Sequence, residues 1–137
     1  MPTRVLWDND AKTIILNEAE GHWTWDEYHQ GVDQIVAMMR SVTHRVDLIT
    51  VSLPNATMPK GSVVPHFQRA LRLLPENAGQ LYVVNKDPIS RGLAKFFTSL
   101  PGSTKQKKSI FVAHVEEARA LIAKNAQWQG VPKREQF

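Results

Sequence analysis

The sequence predicts an α/β fold, a single domain with a mixed, mainly parallel sheet, an N-terminal hairpin and four helices. Three observations carry this. Short apolar runs of strand length alternate with segments of helical period; each helical segment is apolar along one stripe only; and 137 residues suit one hydrophobic core. Parallel strands need crossover connections, which is what the alternation supplies. The domain is expected to span residues 1–137, with its core in 4–124 and a tail in 125–137.

The elements follow in order. "RVLWD" and "KTIILNEAEG" flank Asn9-Asp10 and form a hairpin, since Asn and Asp tolerate turn conformations. "TWDEYHQGVDQIVAMMRSV" sets Trp25, Tyr28, Val32, Ile35, Val36 and Met39 three and four residues apart on one helical face. Thr24 and Glu27 supply a T-x-x-E capping box at its start. "VDLITVSL" is too short for a helix and rich in β-branched residues, so it is a buried central strand.

A second helix is expected to begin at Ser62, with Val63, Val64, Phe67, Ala70, Leu71 and Leu74 inward, Pro65 in the first turn and Pro75 beyond the end. "QLYVVN" is another buried strand. "DPISRGLAKFFTSL" is a third helix with Asp87 as cap and Pro88 at its first position. "SIFVAHV" is the last strand and "VEEARALIAKNA" the last helix, with Glu116 and Glu117 near its positive end. The tail "QWQGVPKREQF" shows no period.

Composition narrows the function. No apolar run reaches the roughly 18 to 20 residues needed to span a bilayer, and "MPTRVLWDND" lacks a signal-length apolar block, so a soluble, cytoplasmic protein without a transmembrane segment is expected. The absence of cysteine removes disulfides, thiolate nucleophiles and cysteine metal sites. Net charge is +4, concentrated between Lys86 and Lys108, where six basic residues face Asp87 alone; the first 85 residues hold seven basic and nine acidic. No aromatic residues interleave with those lysines, and nucleic acid is not an expected partner.

The histidines His22, His29, His44, His66 and His114 show no metalloenzyme spacing, so no metal or other cofactor is expected. No G-x-S-x-G elbow or phosphate-binding glycine pattern occurs, and Ser62 with His66 lacks an evident orienting acid. No catalytic residue is assigned, and the chain is read as non-enzymatic. In open α/β sheets, ligands gather at the carboxyl ends of strands. That places His22, Trp23, Asn55, Lys60, Ser62, His66, Asn85, Lys86 and His114 on one rim. Lys60, His66, Gln68, Arg69 and Arg72 form the polar side of the second helix, suited to an acidic partner.

The element order resembles that of the STAS domain (sulfate transporter and anti-sigma factor antagonist), as do three stretches. These are "IILNEAEGHWTWDEYHQGVDQIVAMM" with Gly21 at the strand end, "VDLITVSLPNATMPKGSVVPHFQRAL", and "FVAHVEEARALI". The resemblance implies a bacterial regulatory module that binds a protein partner, a regulatory protein or kinase-type anti-sigma factor, through the loop and helix from Asn55 to Arg72. A homodimer is a further partner to consider. It also implies phosphorylation near Ser62, which falls close to the family's modified hydroxyl. Lys60 stands where that motif has an acidic residue, and Val63 where it has glycine.

From its residues alone Ser62 is a helix N-cap, a role whose loss costs about 1 kcal/mol. The aromatic and Met content of the first and third helices (Trp25, Tyr28, Met38, Met39, Phe96, Phe97) supports a second reading, a carrier or sensor of a small lipid-like or anionic ligand, as in CRAL-TRIO-like relatives. The candidate partner- or ligand-binding residues are thus Asn55, Lys60, His66, Arg69, His22 and Lys86, with Ser62 as the phosphorylation candidate.

Overall fold

A computed structural model describes residues 3–57, 59–84 and 110–130, with side chains as far as Asn125. Among these residues the architecture is α/β, with five strands and three helices. The strands are β1 (Thr3–Trp7), β2 (Ile14–Ala19), β3 (Val46–Ser52), β4 (Ala78–Val84) and β5 (Ile110–Val112). The helices are α1 (Trp25–Arg40), α2 (Val64–Leu73) and α3 (Val115–Gly130). The helix expected from Asp87 to Leu100 lies outside the described residues, as do Asn85 and Lys86.

Strand order in the sheet equals chain order, β1-β2-β3-β4-β5. The β1/β2 pair is antiparallel and the other three pairs are parallel, so the mixed, mainly parallel sheet and its opening hairpin are present. The hairpin turn is longer than the Asn9-Asp10 pair suggests. The Asn9 carboxamide oxygen accepts from the Thr13 and Ile14 N–H groups at 3.0 and 3.3 Å, and Lys12 takes a left-handed φ of 59° to close the loop. β3 is the central strand and is mostly buried.

Crossovers that step in one direction leave their helices on one face of a sheet. Accordingly α1, the β2-to-β3 crossover, and α2, on the β3-to-β4 connection, lie side by side. On that face Ile35 and Met39 of α1 pack on Ile15, Val46 and Leu48. The opposite face carries Ile14, Leu16, Ile49, Val51, Tyr82, Val84 and Val112, covered by Ala118 and Ile122 of α3. The alternation of side chains along each strand divides the core in this way.

Two helix boundaries differ from expectation. Ser62 does not cap α2: the helix begins at Val64, and the N-cap residue is Val63, helical in backbone (φ −84°) and without a side-chain capping bond. The cause lies in the preceding residues. Gly61 takes a φ of 104°, turning the chain before the helix, and leaves Ser62 exposed and one position too early to reach the first-turn N–H groups as a cap. At the other end of the chain, α3 continues to Gly130, into the first residues assigned to an aperiodic tail, the rest of which lies outside the described residues. By contrast, the α1 cap forms as predicted: Thr24 Oγ1 accepts from the Glu27 N–H at 3.1 Å, and Glu27 Oε1 accepts from the Thr24 N–H at 2.9 Å.

Candidate functional site

The carboxyl ends of β2, β3, β4 and β5 lie on one edge of the sheet, because these strands are parallel. Two connections leave that edge close together, Glu20–Thr24 before α1 and Leu53–Val63 before α2, and hydrogen bonds join them. The Leu53 N–H donates to the Ala19 carbonyl at 2.9 Å and the Thr57 N–H to the Gly21 carbonyl at 2.8 Å. His22 Nδ1 meets Thr57 Oγ1 at 2.5 Å, and the Trp25 indole N–H donates to the Lys60 carbonyl at 3.1 Å. Gly21, at a φ of 63°, makes the turn that brings the first connection alongside the second. The loop before α2 is therefore held at several points by the segment before α1.

Side chains of α1 and α2 interlock just beyond this junction. The His66 ring stacks on Trp25 with centroids 4.0 Å apart and planes 9° from parallel, and Phe67 is buried against Trp25 and Tyr28. Trp23 stacks on Tyr28 at 5.9 Å. A polar chain runs alongside: Arg69 Nη1 lies 3.0 Å from His29 Nδ1, and His29 Nε2 lies 2.8 Å from His66 Nδ1. Arginine only donates, so His29 Nδ1 accepts; its Nε2 then carries the hydrogen and donates to His66 Nδ1. Arg69 also reaches Asp33 at 3.4 Å. His29 titrates below the ordinary histidine value, chiefly because burial disfavours the charged ring, with further contributions from the neighbouring Arg69 and His66.

The predicted rim residues thus divide. His66 and Arg69 face α1 and hold the helix pair together; His22 ties one connection to the other. Asn55, Lys60 and Ser62 are exposed, as is Arg72 farther along α2. The Ser62 hydroxyl makes no hydrogen bond among the described residues, and neither His66 nor a carboxylate engages it. No group of three or more His, Asp or Glu side chains among the described residues is placed to hold a metal ion.

Beneath α2 lies a cavity of about 780 Å³. Its floor is the sheet face shared with α1, in rungs set by the register. The first rung, Leu48–Leu81, is apolar; the next, Asn17–Thr50–Val83–Phe111, is polar on β2 and β3 and apolar on β4 and β5; Ala19 and Ser52 follow. Tyr28, Gly31 and Val32 of α1 form one wall, and Phe67, Ala70, Leu71 and Leu74 of α2 form the roof. The apolar stripe predicted on α2 therefore exists, but Ala70 and Leu71 line the cavity, while Leu74 at its end packs on the core around Val46 and Leu48. Periodicity reports which way a face points and not the distance to its neighbour.

The His29–His66–Arg69 contact also escaped sequence reasoning. Its members come from two helices, and the absence of any local spacing rule linking them left no signal beyond their polar character. No family model, curated protein or solved structure matches the chain.

Proposed function

We propose that this domain is a non-enzymatic interaction module whose docking surface is the loop and helix from Asn55 to Arg72, and whose partner is a protein with an acidic patch. The observation that carries this reading is the pinning of that surface. The loop is hydrogen-bonded to the segment before α1, and α2 is clamped to α1 by the Trp25–His66 stack and the Arg69–His29–His66 chain. A surface ordered before binding does not lose that conformational freedom on association. Lys60 and Arg72 stand out from it, and cations at such a rim steer an acidic partner. A STAS-type role as antagonist of an anti-sigma factor is the finer form of this proposal, and it rests on the sequence resemblance.

Ser62 remains the phosphorylation candidate within this reading. It is exposed and two residues before α2, so a phosphate there would lie near the N–H groups of Val64 and His66, Pro65 having none to offer. The experiment is affinity purification from the native host with the wild-type chain and with a Lys60→Glu, Arg72→Glu double variant. The expected result is a stoichiometric protein partner that the double variant loses by at least about tenfold, since reversing two rim charges sets like against like. Retention of the same partner by a folded double variant would remove the docking surface from Asn55–Arg72.

A second reading is favoured by the cavity, whose volume and mainly apolar lining are those of a small-molecule compartment. In that reading the domain carries or senses a small ligand, and α2 is both the roof of the site and the surface shown to the partner.

A further inference from the structure

The cavity holds more chemical information than its volume. Across the sheet its second floor rung changes character. Asn17 and Thr50 are paired in register on β2 and β3, and Val83 and Phe111 continue the rung on β4 and β5. The two helices also differ in what they contribute. Tyr28 of α1 adds a hydroxyl to the lining, while Ala70, Leu71 and Leu74 of α2 add only apolar side chains.

The side chains of Asn17, Thr50 and Tyr28 make no hydrogen bond among the described residues. Their polar atoms are open to the cavity rather than sealed among protein atoms, so a ligand that displaces water from the chamber must bond to them or leave them unpaired at a cost. These three supply hydroxyl and amide donors and acceptors without charge. Burial pushes the Tyr28 phenol well above its ordinary range, which keeps it a hydrogen donor at any physiological pH.

Charge narrows the ligand further. Among the described lining residues there is no lysine or arginine; besides His114 the charge-bearing ones are carboxylates, Glu27 in the α1 capping box and Glu116 in the first turn of α3. An anionic headgroup would enter an apolar site that, among the described residues, offers no fixed cation and holds two acids.

We infer that the cavity binds an uncharged amphiphile, a molecule with an aliphatic body and one hydroxyl or carbonyl group, oriented with its polar end toward Asn17, Thr50 and Tyr28 and its body toward Val83 and Phe111 beneath α2. This rests on the carrier reading above and narrows it, replacing "lipid-like or anionic" with neutral and hydrogen-bonding.

The test is isothermal titration of the full chain at pH 8 with decan-1-ol and with sodium decanoate, two probes of equal chain length that differ in charge. It is repeated with Thr50→Val and Tyr28→Phe, each checked for native circular dichroism. The expected result is one-to-one binding of the alcohol at least about tenfold tighter than the carboxylate, consistent with the cost of desolvating an unpaired ion. Each variant is expected to weaken alcohol binding severalfold, the usual consequence of one lost hydrogen bond.

Equal or tighter binding of decanoate would overturn the inference and leave the carrier reading standing. Failure of the folded protein to bind either probe would overturn both. An alcohol preference untouched by both variants would overturn the assigned orientation.

Discussion

Asp47 shows how far one buried group can govern its surroundings. Its Oδ1 accepts from the Gln80 N–H at 2.7 Å and from Arg45 Nε and Nη2 at 3.0 and 2.9 Å, which satisfies a carboxylate that is only 8% exposed. That contact requires the adjacent β4 backbone to come close, and it does so at Gly79, where a Cβ would collide with both the Asp47 carboxylate and the Arg45 guanidinium. Gly79→Ala is therefore expected to destabilise the fold by about 1–3 kcal/mol, the range for forcing extra volume into a packed site. Urea unfolding measures this, and an unchanged midpoint would show that the Arg45–Asp47 pair shifts without cost. A glycine before "QLYVV" is visible in the sequence, but nothing in the sequence links it to an acid 32 residues earlier.

The two crossover helices give an element-scale contrast, since both begin beside a hydroxyl residue and only one uses it. Thr24 closes a reciprocal capping box, whereas Ser62 stands outside α2. Thr24→Ala is expected to cost about 1 kcal/mol, and Ser62→Ala less than about 0.5 kcal/mol, by the usual worth of an N-cap and of an exposed site. Denaturation of the two variants side by side decides the matter; a larger loss at Ser62 would contradict the observed start of the helix.

The difference also explains what was legible. For α1, T-x-x-E fixes the cap through spacing within one turn, and the sequence suffices. For α2, the start depends on the left-handed turn at Gly61 and on Pro65 at the second helical position, which together move the boundary past the serine. The basic polar face of α2 was legible as well, but not its division into Arg69, turned to α1, and Arg72, turned to solvent.

At the scale of the whole molecule, the α1–α2 clamp links stability to pH. The folded state lowers the His29 pKa below the ordinary value of about 6.5, so between those two values the unfolded chain binds more protons than the folded one. The contribution of this site is complete above about pH 6.5 and is lost as pH falls through that value toward the lower folded-state one. Protonation of His29 Nδ1 would also place a hydrogen against the Arg69 donor.

The urea midpoint is expected to fall between pH 7.5 and 5.5 by a few tenths molar, on the scale set by a small free-energy change over a typical denaturant slope, with a smaller fall in His29→Asn. Equal acid sensitivity in the two proteins would remove His29 from the effect. The alternation of strands and helices made the layered fold and the mixed sheet legible. The cavity was not, because its size depends on how far α2 stands above the sheet.

The strand order has one further consequence, for how the chain acquires its structure during synthesis. Each strand of β1 to β5 pairs with the one made just before it, so no strand must wait for a later one to be inserted between neighbours. The sheet can lengthen in the direction in which the chain leaves the ribosome. The entropy of loop closure is met one crossover at a time rather than in a single long-range step. α3 is the exception: it follows all five strands in the chain and covers the face that Ile14, Leu16 and Ile49 present from the first strands onward. That face therefore stays bare until α3 has been made, and it is the surface a nascent chain of this protein has most need to shield.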